Sequence, residues 1–377
     1  MSGHHPAHLS TSNASHAFLR RVVSLHGAVT TIDGLATIVH SGTWWCGRPV
    51  VKRHALWSLL TVVIAGHAIA SGNWVEKADM NVARFGLGVA AVGDKLYAAG
   101  GDLGTNTVLL LLEEYDLRTN TWALKKNMPT SRRGLAVVAL GDKVYAIGGY
   151  SGGQEYRDQT EEYDPATDTW TPKDTLAAGR RWLAASTVDG KIYAIGGNTA
   201  EGDSSAVEMF DPALDTWVDR EDMPTARRGP ATAVLGGKIY VIGGDVDGGP
   251  SPTVEVYDPT TDTWAAGDAM PAPRAFSAAT EMDGKIYVVG GATGGVQISD
   301  IDEYDPQTGE WTSVAQMPTA RERLAVAVIN GRLYAIGGGR DDGEFRPVNS
   351  AEEFTPETWD VAPAGKFLTT WSAVRLR

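Results

Sequence analysis

Residues 135 to 149 read Leu135-Ala136-Val137-Val138-Ala139-Leu140-Gly141-Asp142-Lys143-Val144-Tyr145-Ala146-Ile147-Gly148-Gly149. An apolar run, a Gly-Asp step and a second apolar run describe a tight β-hairpin. A looser loop leads to a third strand ending at Glu161-Glu162-Tyr163, and Asp164-Pro165-Ala166-Thr167-Asp168 turns the chain into a fourth strand at Thr169-Trp170. The unit is a four-stranded meander. Both its faces are apolar, so one copy alone cannot bury them; copies must stack, and a closed ring leaves no end face exposed.

The copies are present. The glycine pair returns at Gly100-Gly101, Gly148-Gly149, Gly196-Gly197, Gly243-Gly244, Gly290-Gly291 and Gly337-Gly338, at intervals of 48, 48, 47, 47 and 47 residues. Tryptophan keeps the same beat at Trp74, Trp122, Trp170, Trp217, Trp264, Trp311 and Trp359. In five copies an aromatic precedes the tryptophan by seven positions: Tyr115, Tyr163, Phe210, Tyr257 and Tyr304. The last copy departs, because Phe354 lies only five positions before Trp359. A glycine pair followed by Tyr and Trp at this period resembles the kelch repeat, over roughly residues 74 to 360. The resemblance implies an all-β fold, a six-bladed β-propeller with four antiparallel strands per blade, of the exported bacterial kelch type. The repeated glycines, tyrosines and tryptophans read as structural. Asn73-Trp74-Val75 precedes the six units and Phe367 to Val374 follows them, so one or both termini are expected to pair into a shared blade and close the ring.

An arginine opens each unit: Arg84, Arg132, Arg180, Arg227, Arg274 and Arg321. Placed at the start of the axial strand, six guanidinium groups would crowd one mouth of the channel as forked donors for an anion. In kelch propellers similar to this one, arginines at this position line a pocket for acidic peptides. The six are therefore the expected ligand-binding residues. Each unit also has an acid in its third strand (Glu113, Glu161, Glu208, Glu255, Asp302, Glu352). The competing reading is a structural pairing of arginine and acid. Placing the acid late in its strand argues against it, because the two would then lie at opposite ends of the blade.

The first seventy residues differ. All eight histidines and the only cysteine, Cys46, lie there. Lys52-Arg53 precedes a mainly apolar run from Ala55 to Ala70 that ends Ala68-Ile69-Ala70. That pattern predicts a signal peptide over 51–70, cleaved before Ser71, with 1–50 a non-native or disordered leader and 71–377 the propeller. After cleavage no stable membrane span is expected. Residues 1–70 hold five of the 33 basic residues and one of the 46 acids, leaving 28 against 45, a net charge of −17. Such an acidic chain argues against nucleic-acid binding and suits a secreted or periplasmic monomer.

A propeller without His or Cys has no Cys-His pair, Ser-His-Asp triad or histidine metal site. Galactose oxidase shares the kelch fold but needs two histidines and a cysteine, so its chemistry is excluded. Asp245-Val246-Asp247 and Asp341-Asp342-Gly343-Glu344 read as solvated loop acids rather than calcium ligands. No catalytic residue, metal site or cofactor is assigned. The expected function is a binding module for an anionic small molecule, acidic glycan or acidic peptide. The alternative is a carbohydrate-active enzyme resembling N-acetylneuraminate epimerase, a mutarotase; a purely structural surface protein is the third reading.

Overall fold

The computed structural model describes residues Val29–Ile32, Leu35–Ile38 and 73–356 except 154. The chain divides into two compact units, Met1–Ala68 and Ile69–Arg377. In the first, Val29–Ile32 and Leu35–Ile38 pair as an antiparallel hairpin. The apolar run 55–70, Trp359 and the tail 367–374 lie outside the described residues. Among the described residues no helix is long and apolar enough to cross a membrane.

The second unit is a six-bladed propeller. In blade 2, strands Ala136–Leu140, Lys143–Ile147, Thr160–Asp164 and Thr169–Lys173 pair in sequence order, all antiparallel. Blades 1, 3, 4 and 5 repeat this order. Blade 6 takes Ala325–Ile329, Arg332–Ile336 and Ala351–Thr355 from the end of the repeat array, and its outer strand, Asn73–Glu76, from the beginning. The amino-terminal closure expected from Asn73-Trp74-Val75 is therefore present.

This clasp explains the irregular last repeat. Trp74 stands opposite Phe354, as Trp170 stands opposite Tyr163. In all six blades that outer pair is tilted, with ring centroids 5.0–5.2 Å apart. Phe354 has Trp74 as its tryptophan, so the spacing to Trp359 had no reason to be kept.

Six apolar clusters fill the six seams between neighbouring blades. The first strands surround the axis, each against the next, and Ala325–Ile329 returns to Gly88–Val92. Five indoles also donate hydrogen bonds to the backbone of the preceding blade's exit, for example Trp122 Nε1 to Ala78 O at 2.7 Å and Trp311 Nε1 to Asp268 O at 2.9 Å.

Each glycine pair is a left-handed corner, with φ of 58–67° at the first residue and 97–109° at the second. The second N–H donates to the carbonyl of the opening arginine in the next blade, from Gly101 to Arg132 O at 2.9 Å round to Gly338 to Arg84 O at 3.0 Å. At Gly196 an added Cβ would lie 2.9 Å from Arg227 O, and at Gly197 2.9 Å from Arg181 O. Only glycine meets both the φ and the close approach.

Candidate ligand site at the channel mouth

The six opening arginines do not line the mouth. Arg84, Arg132, Arg180, Arg227, Arg274 and Arg321 are 0–2 % exposed. Each sits four residues before its first strand and turns into its own blade. Arg180 donates to the carbonyls of Gly196 (3.2 Å), Ala206 (2.7 Å) and Ala194 (3.3 Å), and to Glu208 Oε1 (2.8 Å). The same ion pair recurs as Arg84–Glu113 at 2.6 Å, Arg132–Glu161, Arg227–Glu255 at 2.8 Å, Arg274–Asp302 and Arg321–Glu352 at 2.7 Å. Placing the acid late in its strand is the error: Glu161 is the second residue of Thr160–Asp164, beside Ala146 at the end of the second strand. Arginine and acid thus share one end of the blade. Burial pushes all six guanidinium groups down from their ordinary value, and the paired carboxylates oppose this. These arginines are structural pins.

The mouth is built from the two residues that follow. The residue two after each buried arginine adopts a left-handed φ in every blade: Gly86, Gly134, Trp182, Gly229, Phe276 and Arg323, between 55° and 63°. Their backbones form a closed hydrogen-bonded hexagon around the axis. Gly134 N donates to Gly86 O (2.7 Å), Trp182 to Gly134 (2.7 Å), Gly229 to Trp182 (2.7 Å), Phe276 to Gly229 (2.9 Å), Arg323 to Phe276 (2.8 Å) and Gly86 to Arg323 (2.9 Å).

Three members of the hexagon are glycine and three are large. The division is steric. A Cβ on Gly86 or Gly134 would fall 2.8–2.9 Å from the Trp182 indole, and one on Gly229 would fall 2.4 Å from Phe276. The indole lies across two glycines and the phenyl ring across the third. Trp182 and Phe276 meet edge to face at 5.4 Å. Holding Trp, Phe and Arg at left-handed φ costs on the order of 1 kcal/mol each.

Above this floor lies a cavity of about 400 Å³ lined by Phe85, Arg133, Arg181, Trp182, Arg228, Asp245, Phe276 and Arg323. Arg323 packs within 5.0–5.5 Å of four rings, those of Phe85, Trp182, Phe276 and Phe345. Burial pushes its guanidinium down, Glu322 offsets this in part, and the like charges of Arg133, Arg181 and Arg228 lower it further. The other three arginines of the mouth thus act on Arg323.

The partners of these arginines differ. Arg133 is held by Asp102 at 2.8 Å. Arg228 is held by Asp245 at 2.8 Å, with Asp203 at 3.9 Å. Arg323 has Glu322 at 3.3 Å. Arg181 has no carboxylate within ion-pair distance among the described residues; it lies 4.8 Å from the Tyr150 ring and 5.3 Å from the Tyr156 ring, with a 3.4 Å contact to Asn198 Oδ1. The mouth is also lopsided. Arg133, Arg181 and Arg228 occupy one position in blades 2 to 4, where blade 5 has Ala275. Opposite them across isolated bridges stand Tyr150, Asn198 and Asp245, where blade 5 has Ala292. Asp245, read from sequence as a solvated loop acid, is only 9 % exposed.

None of these mouth residues emerges from the repeat motif, because the motif selects positions that are alike. The signal lay beside it: after each invariant arginine the next two residues read Phe-Gly, Arg-Gly, Arg-Trp, Arg-Gly, Ala-Phe and Glu-Arg. These are the positions around the mouth at which the copies disagree.

Blades of this order around a closed axial hexagon define a kelch-type β-propeller, and the chain belongs to the kelch-repeat family. The model of the KLHDC2/KLHL20/DRC7 Kelch-repeats domain matches residues 86–267 and 219–363. Among solved structures, that of YjhT is similar in fold at a TM-score of 0.64, with 17 % identity over 73 % of this chain and 95 % of that one. No curated protein matches the chain.

Proposed function

We propose that this protein is a secreted or periplasmic binding module whose channel mouth holds a small anionic ligand. The observation that carries this reading is the convergence of Arg133, Arg181, Arg228 and Arg323 on one cavity, with Arg181 lacking a carboxylate partner among the described residues. A guanidinium fixed against aromatic faces is a pre-oriented donor for carboxylate, phosphate or sulfate. The aromatic floor suits a flat or apolar ligand face, and the volume suits a small molecule. Acidic glycan ends and acidic peptide side chains carry the same group. Export rests on Lys52-Arg53 and the apolar run that ends Ala68-Ile69-Ala70. Calorimetry against N-acetylneuraminate, D-glucuronate and an acidic peptide, on wild type and Arg181→Gln, tests the site. Saturable binding weakened by Arg181→Gln and by salt supports it; equal binding in the two proteins refutes it.

A second reading is favoured by one observation. Asp245 is a buried carboxylate within an arginine-lined cavity, the pairing a sugar-acid mutarotase needs for proton transfer at a hemiacetal. Anomeric exchange of N-acetylneuraminate followed by NMR, with and without the protein, tests it. Acceleration lost in Asp245→Asn identifies an enzyme; unchanged exchange leaves the binding module.

A further inference from the structure

Two acids follow glycine pairs at equivalent positions, Asp102 in blade 1 and Asp245 in blade 4, and of the two Asp245 lines the cavity. Asp102 is saturated: its Oδ1 accepts the Gly104 N–H at 2.7 Å and its Oδ2 accepts Arg133 at 2.8 Å. Asp245 is not. Its Oδ2 accepts Arg228 at 2.8 Å, while its Oδ1 is buried without a donor among the described residues. A buried carboxylate oxygen left without a donor is costly, and a donor supplied by a ligand removes that cost. On the neighbouring blade Arg181 has the complementary lack, a guanidinium with no carboxylate partner among the described residues. Both side chains line the same cavity beside the Trp182 indole.

We propose that the ligand is a hydroxylated organic acid, whose carboxylate pairs with Arg181 and whose hydroxyl donates to Asp245 Oδ1. This rests on the reading that the mouth binds an anion. A plain carboxylate satisfies Arg181 but leaves Asp245 Oδ1 unpaired and brings like charge towards it. An ammonium donor satisfies Asp245 but must enter among Arg133, Arg181, Arg228 and Arg323, whose charges oppose it. A neutral hydroxyl donates without that penalty. Asp245 is thus a specificity-determining residue, selecting hydroxylated acids against deoxygenated ones of the same shape. Discrimination by a site that expects a hydroxyl is strong, because the analogue leaves a buried polar group unpaired.

The test compares quinate with cyclohexanecarboxylate, two acids on one six-membered carbon ring, and adds D-glucuronate and D-gluconate. Affinities are measured by calorimetry on wild type and Asp245→Asn, with D-glucosamine as the cationic control. The expected result is binding of one or more hydroxylated acids at least about tenfold tighter than cyclohexanecarboxylate, and no binding of glucosamine. In Asp245→Asn that preference should collapse while the plain acid binds as well or better. Equal affinity of hydroxylated and plain acids for wild type overturns this inference and leaves the anion site standing. Binding of none of the acids overturns both. The wild-type comparison decides the matter even if the variant does not fold.

Discussion

Arg180 and Glu208 meet inside blade 3 at 2.8 Å, the guanidinium 1 % and the carboxylate 6 % exposed. The arginine also takes three backbone carbonyls. Burial raises the Glu208 carboxyl and lowers the guanidinium, and each partner opposes the shift of the other. Removing either one should therefore leave the other buried and uncompensated. Arg180→Gln or Glu208→Gln should each cost about 3–5 kcal/mol. The double change Arg180→Met with Glu208→Leu should cost less than the sum of the two. Chemical denaturation of the three variants measures this; strictly additive losses would show that the two side chains act independently.

The glycine corners give a second expectation. Gly196→Val or Gly197→Val puts a branched side chain at φ 60° or 102° against a carbonyl 2.9 Å away. A loss of a few kcal/mol, read as a lower melting temperature, should follow in each. Gly190, at φ 72° but with open space around its Cβ position, should lose less on change to Asn.

Acid should weaken the fold through the exposed turns. Asp164 is held below the ordinary aspartate range first by the Ala166 N–H and then by Lys143; Asp211 is held low first by Lys191. A depressed carboxyl contributes stability that is present above its unfolded value, about pH 4, and lost as pH falls through the folded value. Buried Glu208 and Glu352 are raised, so their contribution has the opposite sign and fades as pH rises through their folded values. Melting temperature should fall below about pH 4, and Asp164→Asn with Asp211→Asn should flatten that fall. An unchanged acid limb in the double variant would remove the turns as its cause.

At the mouth, Arg181→Gln should leave the melting temperature nearly unchanged, since its side chain is a partly exposed rim group with no carboxylate partner among the described residues, whereas Arg228→Gln should lower it by stripping the buried Asp245 of its donor. Each should weaken binding of an anionic ligand by roughly 1.5–3 kcal/mol, and the wild-type affinity should drop with added salt. Arg132→Gln should show the reverse of the Arg181→Gln pattern, lost stability. Thermal shift in the presence and absence of D-glucuronate separates the two classes.

The blades were legible because their chemistry repeats. Glycine pairs that need positive φ, and Tyr–Trp pairs that need each other, return wherever the backbone returns. The site was legible only in kind. A cationic mouth followed from the right end of the blade, but Arg84, Arg132, Arg180, Arg227, Arg274 and Arg321 lie buried in ion pairs rather than at that mouth. Misplacing Glu161 and its equivalents by a few residues along the strand hid their ion pairs. Arg133, Arg181, Trp182, Arg228, Phe276 and Arg323 were invisible to a search for likeness, since propeller symmetry says nothing about positions where the blades differ.

The strand Asn73–Glu76 reaches its partner only when Ala351–Thr355 exists. During synthesis it is the first part of the propeller made and the last to be paired. The emerging chain therefore carries an open edge until the final blade is complete, a state prone to pairing with another chain. Once the clasp forms, the array has no loose end from which blades could peel away one by one. The protein should then open as a whole or hardly at all, which would make its lifetime a matter of unfolding rate more than of equilibrium.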